Sequence, residues 1–115
     1  MSNNELTEKE IVLDLEALKK NEDILSESFL RMYGAQIEHI LKQMFDIPIF
    51  GPNAYVKGKP KDIRALAKAL GSEKKYIKSA KKFGLDDPKT YKTKSSLSKA
   101  VKGFEKMTGL RWPFK

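Results

Sequence analysis

Hydrophobic residues along the chain recur mainly at spacings of three and four, the period of an amphipathic helix. The first run places Ile11, Leu15 and Leu18 on one face. Just before it, Thr7 and Glu10 have the spacing of a capping box, in which each side chain bonds the other residue's backbone N–H. The pattern therefore predicts a first helix that starts near Thr7 and ends near residue 20.

The longest run predicts a second helix over 23–45, with its apolar side chains on one stripe. These apolar positions are Leu30, Tyr33, Ile37, Ile40, Leu41 and Met44. Gly34 interrupts the helix at a cost of about 1 kcal/mol relative to alanine, so we expect another backbone to pass close to it. The stripe favours an intramolecular core, and a homo-oligomer formed through helix 23–45 is the alternative.

Proline and glycine dominate residues 47–60 and exclude a helix there, although they allow a short β-hairpin around 48–57. Three helices are predicted beyond this segment, and their ranges are 62–71, 73–83 and 95–109. Asp62 is the expected cap of the first helix, and Ser95 or Ser96 starts the third. Each helix ends at a glycine, and we expect Leu85 and Leu110, which follow two of these glycines, to pack back on the helices.

The expected fold class is all-α, mainly helical, with about five helices in a single domain over 1–115. A length of 115 residues suits one hydrophobic core. Within that domain we expect an acidic helical hairpin over 6–46, a linker over 47–60 and a basic helical module over 61–115.

Charge divides the chain sharply at the linker. Residues 1–50 carry 5 Lys/Arg against 10 Asp/Glu, whereas residues 51–115 carry 18 against 5, so the net charges are −5 and +13. Such an asymmetry points to a polyanionic partner. The alternative is that the acidic and basic halves neutralise each other within one fold or between subunits.

Composition narrows the class of protein further. The absence of cysteine excludes disulfides, thiolate catalysis and zinc–thiolate sites. The N-terminus has no signal-peptide pattern, and no apolar stretch approaches the roughly 20 residues of a membrane span. We therefore expect an intracellular, cytoplasmic protein with no membrane partner.

One segment of the basic module resembles a known DNA-binding motif. Small Ala67 is followed four residues later by Gly71, and Ile77 and Ala80 occupy inward positions beyond it. Residues 63–84 thus resemble a helix-turn-helix motif, in which a small residue lets two helices cross closely and a glycine makes the turn.

The resemblance implies that 73–83 is the helix that meets nucleic acid. Its outward residues would be Glu73, Lys74, Lys75, Lys78, Ser79, Lys81 and Lys82. Six further lysines, on what we expect to be flanking loops, would extend the contact, and they are Lys57, Lys59, Lys61, Lys89, Lys92 and Lys94. This helix contains no Arg, Asn or Gln, the side chains best suited to read bases, so the chemistry favours contact with the phosphate backbone.

The C-terminal residues Trp112 and Phe114 have three interpretations. The aromatic rings either fold back to complete the core, which we favour, or insert into a partner. The third option is that they stack on unpaired bases beside Arg111 and Lys115.

Catalytic chemistry has little support in the sequence. The single histidine, His39, lies beside apolar residues of a helix and is interpreted as a surface or boundary residue. Asp86 and Asp87 precede a proline, where aspartate commonly bonds the backbone of a turn. We expect no enzyme activity, no metal and no cofactor.

These patterns together predict a small basic nucleic-acid-binding protein, with DNA favoured over RNA, that acts as an accessory or regulatory factor. The alternative is a non-enzymatic structural or adaptor protein, of a self-assembling or virion type, whose acidic and basic faces mediate protein–protein contacts.

Overall fold

The computed structural model describes residues 11–20, 27–46 and 54–114. Its elements are β1 (Ile11–Asp14), α1 (Leu15–Lys20), α2 (Glu27–Asp46), β2 (Ala54–Lys57), α3 (Pro60–Phe83) and α4 (Pro88–Thr108). The expected mainly helical class is confirmed. Within these ranges there are four helices rather than about five, because two predicted helices are joined in α3. No helix in the described ranges is both long and apolar enough to cross a membrane.

The two strands form a parallel sheet in which Leu13 faces Val56. A helix was predicted over Ile11–Asp14, and that prediction is wrong: three consecutive apolar residues, two of them β-branched, suit a strand. The predicted β-hairpin around 48–57 is also wrong, because β2 pairs with the distant β1 and not with its neighbour in sequence. The predicted capping box at residues 7 and 10 lies outside the described residues.

Asp14 marks the change from strand to helix. Its Oδ1 accepts hydrogen bonds from the backbone N–H groups of Glu16 and Ala17 at 3.1 and 3.2 Å. A side-chain acceptor that bonds the first backbone N–H groups of a helix is an N-cap, so the Asp14 carboxylate fixes the position at which α1 begins, Leu15. The start of α1 thus lies eight residues beyond the predicted one.

Helix α2 supplies one wall of the core. Tyr33, Ile37, Ile40 and Leu41 are buried, so the apolar stripe packs within the same chain, as favoured. Another backbone was expected close to Gly34, whereas the contact found there is with a side chain at van der Waals distance: a Cβ on residue 34 would lie 3.4 Å from Cβ of Pro113, in the C-terminal segment. The predicted start of this helix, 23–26, lies outside the described residues.

Helix α3 runs without interruption through Gly71, so the predicted helix end and the turn of the helix-turn-helix resemblance are wrong. The buried positions Leu66, Ala69, Leu70 and Glu73 keep the helical spacing across the glycine. Burial along this face outweighs a cost of about 1 kcal/mol for one glycine in a helix. The chain therefore folds as one 24-residue helix where two short ones were expected.

Asp62 does not cap α3 but pairs with α1. It is 3% exposed, and its Oδ2 accepts a hydrogen bond from Lys19 Nζ at 2.5 Å. This bond is the main cause that raises the pKa of the Lys19 ammonium above its usual value. A buried carboxylate needs such a partner, so the pair ties the start of α3 to the end of α1.

Helix α4 starts at Pro88, seven residues before the predicted start at Ser95. Asp87 is its N-cap, with Oδ1 accepting from the N–H of Lys89 at 2.8 Å, and proline suits the first helical position. Thr90 is buried and donates to the carbonyl of Gly84 at 2.6 Å, which fastens the loop between α3 and α4. The two helices form an antiparallel hairpin, the most extensive packing in the described chain.

The C-terminal ends of α3 and α4 differ in backbone conformation. Gly109 has φ +77 and closes α4 with an N–H bond to the carbonyl of Glu105, and Leu110 beyond it is buried as expected. Gly84 has φ +91 and ψ 162, outside the left-handed helical region that turns the chain back on the helix. Leu85 is consequently 63% exposed, and the packing expected of it is wrong.

The C-terminal segment completes the core, which confirms the favoured interpretation of Trp112. This indole is 3% exposed and packs edge-on to Phe104, with ring centroids 5.4 Å apart. Phe114 also packs edge-on to the indole, with ring centroids 6.3 Å apart. The C-terminal segment therefore packs against α4 through Phe104.

Candidate nucleic-acid interface

The solvent face of α3 is a continuous basic stripe. Its six side chains are all exposed, and they are Lys61, Arg64, Lys68, Lys75, Lys78 and Lys82. At about 100° per residue, their spacings of three, four and seven place them on one side of the helix, opposite the buried Leu66 and Glu73. With a rise of about 1.5 Å per residue, the stripe is roughly 32 Å long. It exists because α3 does not turn at Gly71.

Helix α4 presents a second row of exposed lysines beside this stripe. Its members are Lys92, Lys99, Lys102 and Lys106, again separated by seven, three and four residues. The two rows belong to one antiparallel hairpin, so its outer surface is basic along both helices.

Acidic residues do not neutralise this surface in the described part of the chain. The ion pairs found there are Lys19–Glu16 at 3.7 Å and Lys19–Asp62, both made by a lysine of α1. No lysine or arginine of α3 or α4 forms an ion pair with a described carboxylate. Internal neutralisation of the two halves, one of the sequence interpretations, is therefore not seen among these residues.

A groove between α3 and α4 combines lysines with hydroxyl groups. Its lining residues are Ser72, Lys75, Lys92, Thr93 and Ser96, around a volume of about 250 Å³. Thr93 donates its hydroxyl hydrogen to the carbonyl of Thr90, so its oxygen is left as an acceptor. The hydroxyls of Ser72 and Ser96 have no hydrogen-bond partner among the described residues. Two ammonium groups and two free hydroxyl donors are the groups that commonly bind phosphate oxygens.

The same flank of the hairpin continues as a second hollow near the start of α3. Its lining residues are Lys61, Arg64, Ala65, Lys68 and Met107. Three cationic side chains stand around an apolar floor formed by alanine and methionine. Basic residues therefore line this flank of the hairpin from one end of α3 to the other.

Two lysines predicted to meet nucleic acid point instead to the end of α2. Lys74 Nζ donates to the carbonyl of Met44, and the ammonium groups of Lys74 and Lys81 lie 5.6 and 5.5 Å from the ring centroid of Phe45. The last turn of α2 has no basic residue of its own. These two lysines supply the positive charge that stabilises a helix C-terminus. Their contacts therefore serve the packing of α3 against α2.

The other residues predicted to meet nucleic acid do not all lie on one surface. Lys75, Lys78 and Lys82 lie on the α3 stripe, and Lys82 also lies 5.3 Å from the Phe83 ring centroid. Ser79 is half-buried, and its carbonyl accepts from Thr90.

Lys92 and Lys94 were expected on loops, but both lie on α4 because that helix begins at Pro88. Lys92 joins Lys75 in the groove, whereas Lys94 lines a separate cavity on the other flank. Glu73 was expected to point outward, but it is 7% exposed and bonds Trp112.

Sequence reasoning missed the half of the stripe that precedes Gly71. Arg64 and Lys68 were not singled out, and Lys61 was expected on a loop. The available signal was the spacing of basic residues from 61 to 82, which complements the apolar spacing on the opposite face. The assumed turn at Gly71 concealed this signal, because it divides the row into two unrelated parts.

The described ranges offer few residues for a catalytic or metal site. His39 is exposed on α2, as the sequence suggested, and its Nε2 lies 3.1 Å from Nε2 of Gln43. No group of three or more His, Cys, Asp or Glu residues close enough to hold a metal ion is found in those ranges.

Comparison of the chain with models of known families, with curated proteins and with solved structures finds no match.

Proposed function

We propose that this protein binds nucleic acid, DNA in the first place, by placing the basic outer surface of the α3–α4 hairpin against the phosphate backbone. The observation that carries the proposal is the α3 stripe: six exposed cations in one row of roughly 32 Å, with no ion pair to a described carboxylate. A regular row of negative charge is the ligand that matches such a row of positive charge.

The repulsion between neighbouring cations of the stripe, which destabilises α3 when nothing is bound, supports this interpretation. Lysines three or four residues apart on a helix repel each other, and each like-charged pair destabilises it by about 0.2–0.5 kcal/mol. The pairs Arg64–Lys68 and Lys78–Lys82 have this spacing. A polyanion bound along the stripe would remove the repulsion and release its own counterions.

The side-chain chemistry favours binding with little dependence on sequence. The α3 stripe contains one arginine and no asparagine or glutamine, the groups that form paired bonds to base edges. Lysine ammonium groups and serine hydroxyls instead contact phosphate oxygens. The role that fits is an accessory or regulatory factor that coats or bridges DNA.

A pair of matched variants tests the surface. The first neutralises the stripe with Lys75→Gln, Lys78→Gln and Lys82→Gln. The control removes the same charge from exposed basic residues elsewhere, with Lys20→Gln, Arg31→Gln and Lys42→Gln. Binding to a labelled random duplex is followed by fluorescence anisotropy over a series of salt concentrations.

We expect the stripe variant to lose about 2.7 from the slope of log K against log salt, because each lost phosphate contact contributes about 0.9. Its affinity at 0.1 M salt should fall by roughly two orders of magnitude, whereas the control should change much less. Equal weakening of both variants would show that net charge alone governs binding, and the proposed surface would be wrong.

The alternative function, an adaptor that assembles through its acidic and basic faces, makes a different prediction. The unpaired lysines of the hairpin would then dock on the acidic N-terminal half of a second copy. Sedimentation would show self-association that disappears at high salt and does not respond to added DNA. That pattern, with no anisotropy change for the labelled duplex, favours assembly over nucleic-acid binding.

A further inference from the structure

A cavity lies between α3, α4 and the C-terminal segment, on the flank of the hairpin opposite the lysine–hydroxyl groove. Its volume is about 250 Å³. The lining residues are Glu73, Tyr76, Lys94, Leu97, Ser98, Val101, Trp112 and Phe114. Three of these eight side chains are aromatic and two are aliphatic, so most of the wall is apolar.

The aromatic wall is held rigidly. The Trp112 indole Nε1 donates to Oε1 of Glu73 at 2.9 Å, and the Trp112 backbone N–H donates to Oε2 of Glu105 at 2.8 Å. Phe104 and Phe114 both pack edge-on to the indole. A cavity whose wall is fixed before binding loses little freedom when a flat ligand enters.

The polar groups of the cavity specify the ligand further. The Glu73 carboxylate is almost fully buried, and Trp112 uses one of its roughly four acceptor positions. A ligand that brings an amino group to this carboxylate is favoured, whereas an N–H that lies between two carbonyl oxygens, as in thymine, is disfavoured because those oxygens repel the carboxylate. The exposed Lys94 adds a cation where the cavity meets solvent.

The cavity and the lysine–hydroxyl groove share the same turns of α4. Lys92 and Thr93 line the groove, and Lys94, the next residue, lines the cavity. The two sites are thus separated by about one helix diameter, roughly 10 Å. A strand whose phosphates lie in the groove can cross α4 and bring a neighbouring nucleotide to the cavity.

From this juxtaposition we infer that the cavity binds one unpaired nucleobase that carries an exocyclic amino group. The aromatic wall receives the base, the Glu73 carboxylate accepts from its amino group, and Lys94 contacts an adjacent phosphate. The inference depends on the proposed function, because the lysines of the hairpin hold the strand. It adds that a single strand or a displaced base is bound in preference to an intact duplex.

Trp112 provides a direct probe because it is the only tryptophan of the chain. The experiment titrates the full chain with oligo(dC), oligo(dT) and an abasic oligonucleotide of equal length. Anisotropy of a label on the DNA reports binding, and Trp112 fluorescence reports occupancy of the cavity. We expect oligo(dC) to bind about tenfold more tightly than the abasic strand and to change the fluorescence, with oligo(dT) weaker than oligo(dC).

Ser98→Phe tests the same cavity by filling it. Ser98 is exposed and lines the cavity, whereas Ser95 is exposed on the same helix and does not line it, so Ser95→Phe is the matched control. We expect Ser98→Phe to remove the preference for oligo(dC) over the abasic strand, and Ser95→Phe to keep it. Circular dichroism of both variants checks that the helices remain formed.

The outcomes separate this inference from the proposed function. Equal binding of all three strands without a fluorescence change would overturn the base site and leave backbone binding in place. A preference for oligo(dC) that survives Ser98→Phe would also overturn it. Failure of every strand to bind would overturn both.

Discussion

The indole of Trp112 donates a 2.9 Å hydrogen bond to the carboxylate of Glu73, although 39 positions separate the two residues. Both side chains are buried, so neither group has bulk water as an alternative partner. The bond attaches the C-terminal segment to the middle of α3. It also shows why a glutamate lies on the inner face of an otherwise basic helix.

Replacement of Glu73 tests the strength of this attachment. Glu73→Ala leaves the Trp112 N–H buried without an acceptor, and we expect the free energy of unfolding to fall by about 2–3 kcal/mol. Glu73→Gln keeps a carbonyl oxygen at the same place and should lower it by less than half as much. Urea unfolding followed by Trp112 fluorescence measures both, and equal losses would contradict the role given to the acceptor.

The continuity of α3 is tested at Gly71. A Cβ at this position meets no atom within 4 Å, and the residue is helical, so Gly71→Ala should stabilise the protein by about 0.8–1 kcal/mol. Gly109→Ala is the contrasting variant, because φ of +77 disfavours any residue with a Cβ, and we expect a loss of about 1–2 kcal/mol. A destabilising Gly71→Ala would indicate a turn at residue 71.

The hydroxyl of Tyr33 is buried and has no hydrogen-bond partner among the described residues. Tyr33→Phe removes this unsatisfied group and should raise the free energy of unfolding by about 1 kcal/mol. The exposed Tyr91→Phe is the control, with a change near zero.

Tyr33 also makes stability depend on alkaline pH. Burial, and to a lesser degree the negative charge of Glu105, raises the pKa of Tyr33 above its usual value of 10.0. The folded chain then keeps a proton that the unfolded chain releases. Stability from this group is complete below pH 10 and is lost as the pH rises above it. Urea unfolding at pH 9 and pH 11 should show a smaller loss for Tyr33→Phe than for the wild type, and equal losses would contradict this assignment.

The Lys19–Asp62 pair gives a further prediction. Lys19→Met leaves the carboxylate of Asp62 buried and unpaired, and we expect a loss of about 2 kcal/mol, less than for a fully buried pair because Lys19 is partly exposed. Lys20→Met, one residue further on and exposed, should change stability by less than 0.5 kcal/mol. In a double-mutant cycle with Asp62→Asn, the absence of coupling would contradict the pairing.

The sequence correctly predicted those elements whose apolar residues recur at helical spacing and are buried in the fold. The apolar stripe of α2 and the end of α4 at Gly109 follow from neighbours in sequence. The strand at Ile11–Asp14 was not predicted, because its apolar residues also fit the helical spacing to Leu15 and Leu18 and its partner strand is distant in sequence.

At the candidate site, too, the sequence identified some features correctly and missed those that depend on long-range packing. The lysines of residues 74–82 were identified by charge, but their directions were assigned from a turn that does not form. Once α3 is continuous, Lys74 and Lys81 face the end of α2 and Glu73 faces the core. These directions depend on where α2 and the C-terminal segment pack against α3, and that packing is a long-range property.

The most direct test of nucleic-acid binding is a salt titration of the wild-type chain on a random DNA duplex. If the six cations of the α3 stripe contact phosphates, log K should fall against log salt with a slope of about −5, at about 0.9 per contact. Tight binding at about 50 mM salt that weakens steeply towards about 200 mM is the predicted result. No binding at the lower concentration, or an affinity that does not change with salt, would contradict the account.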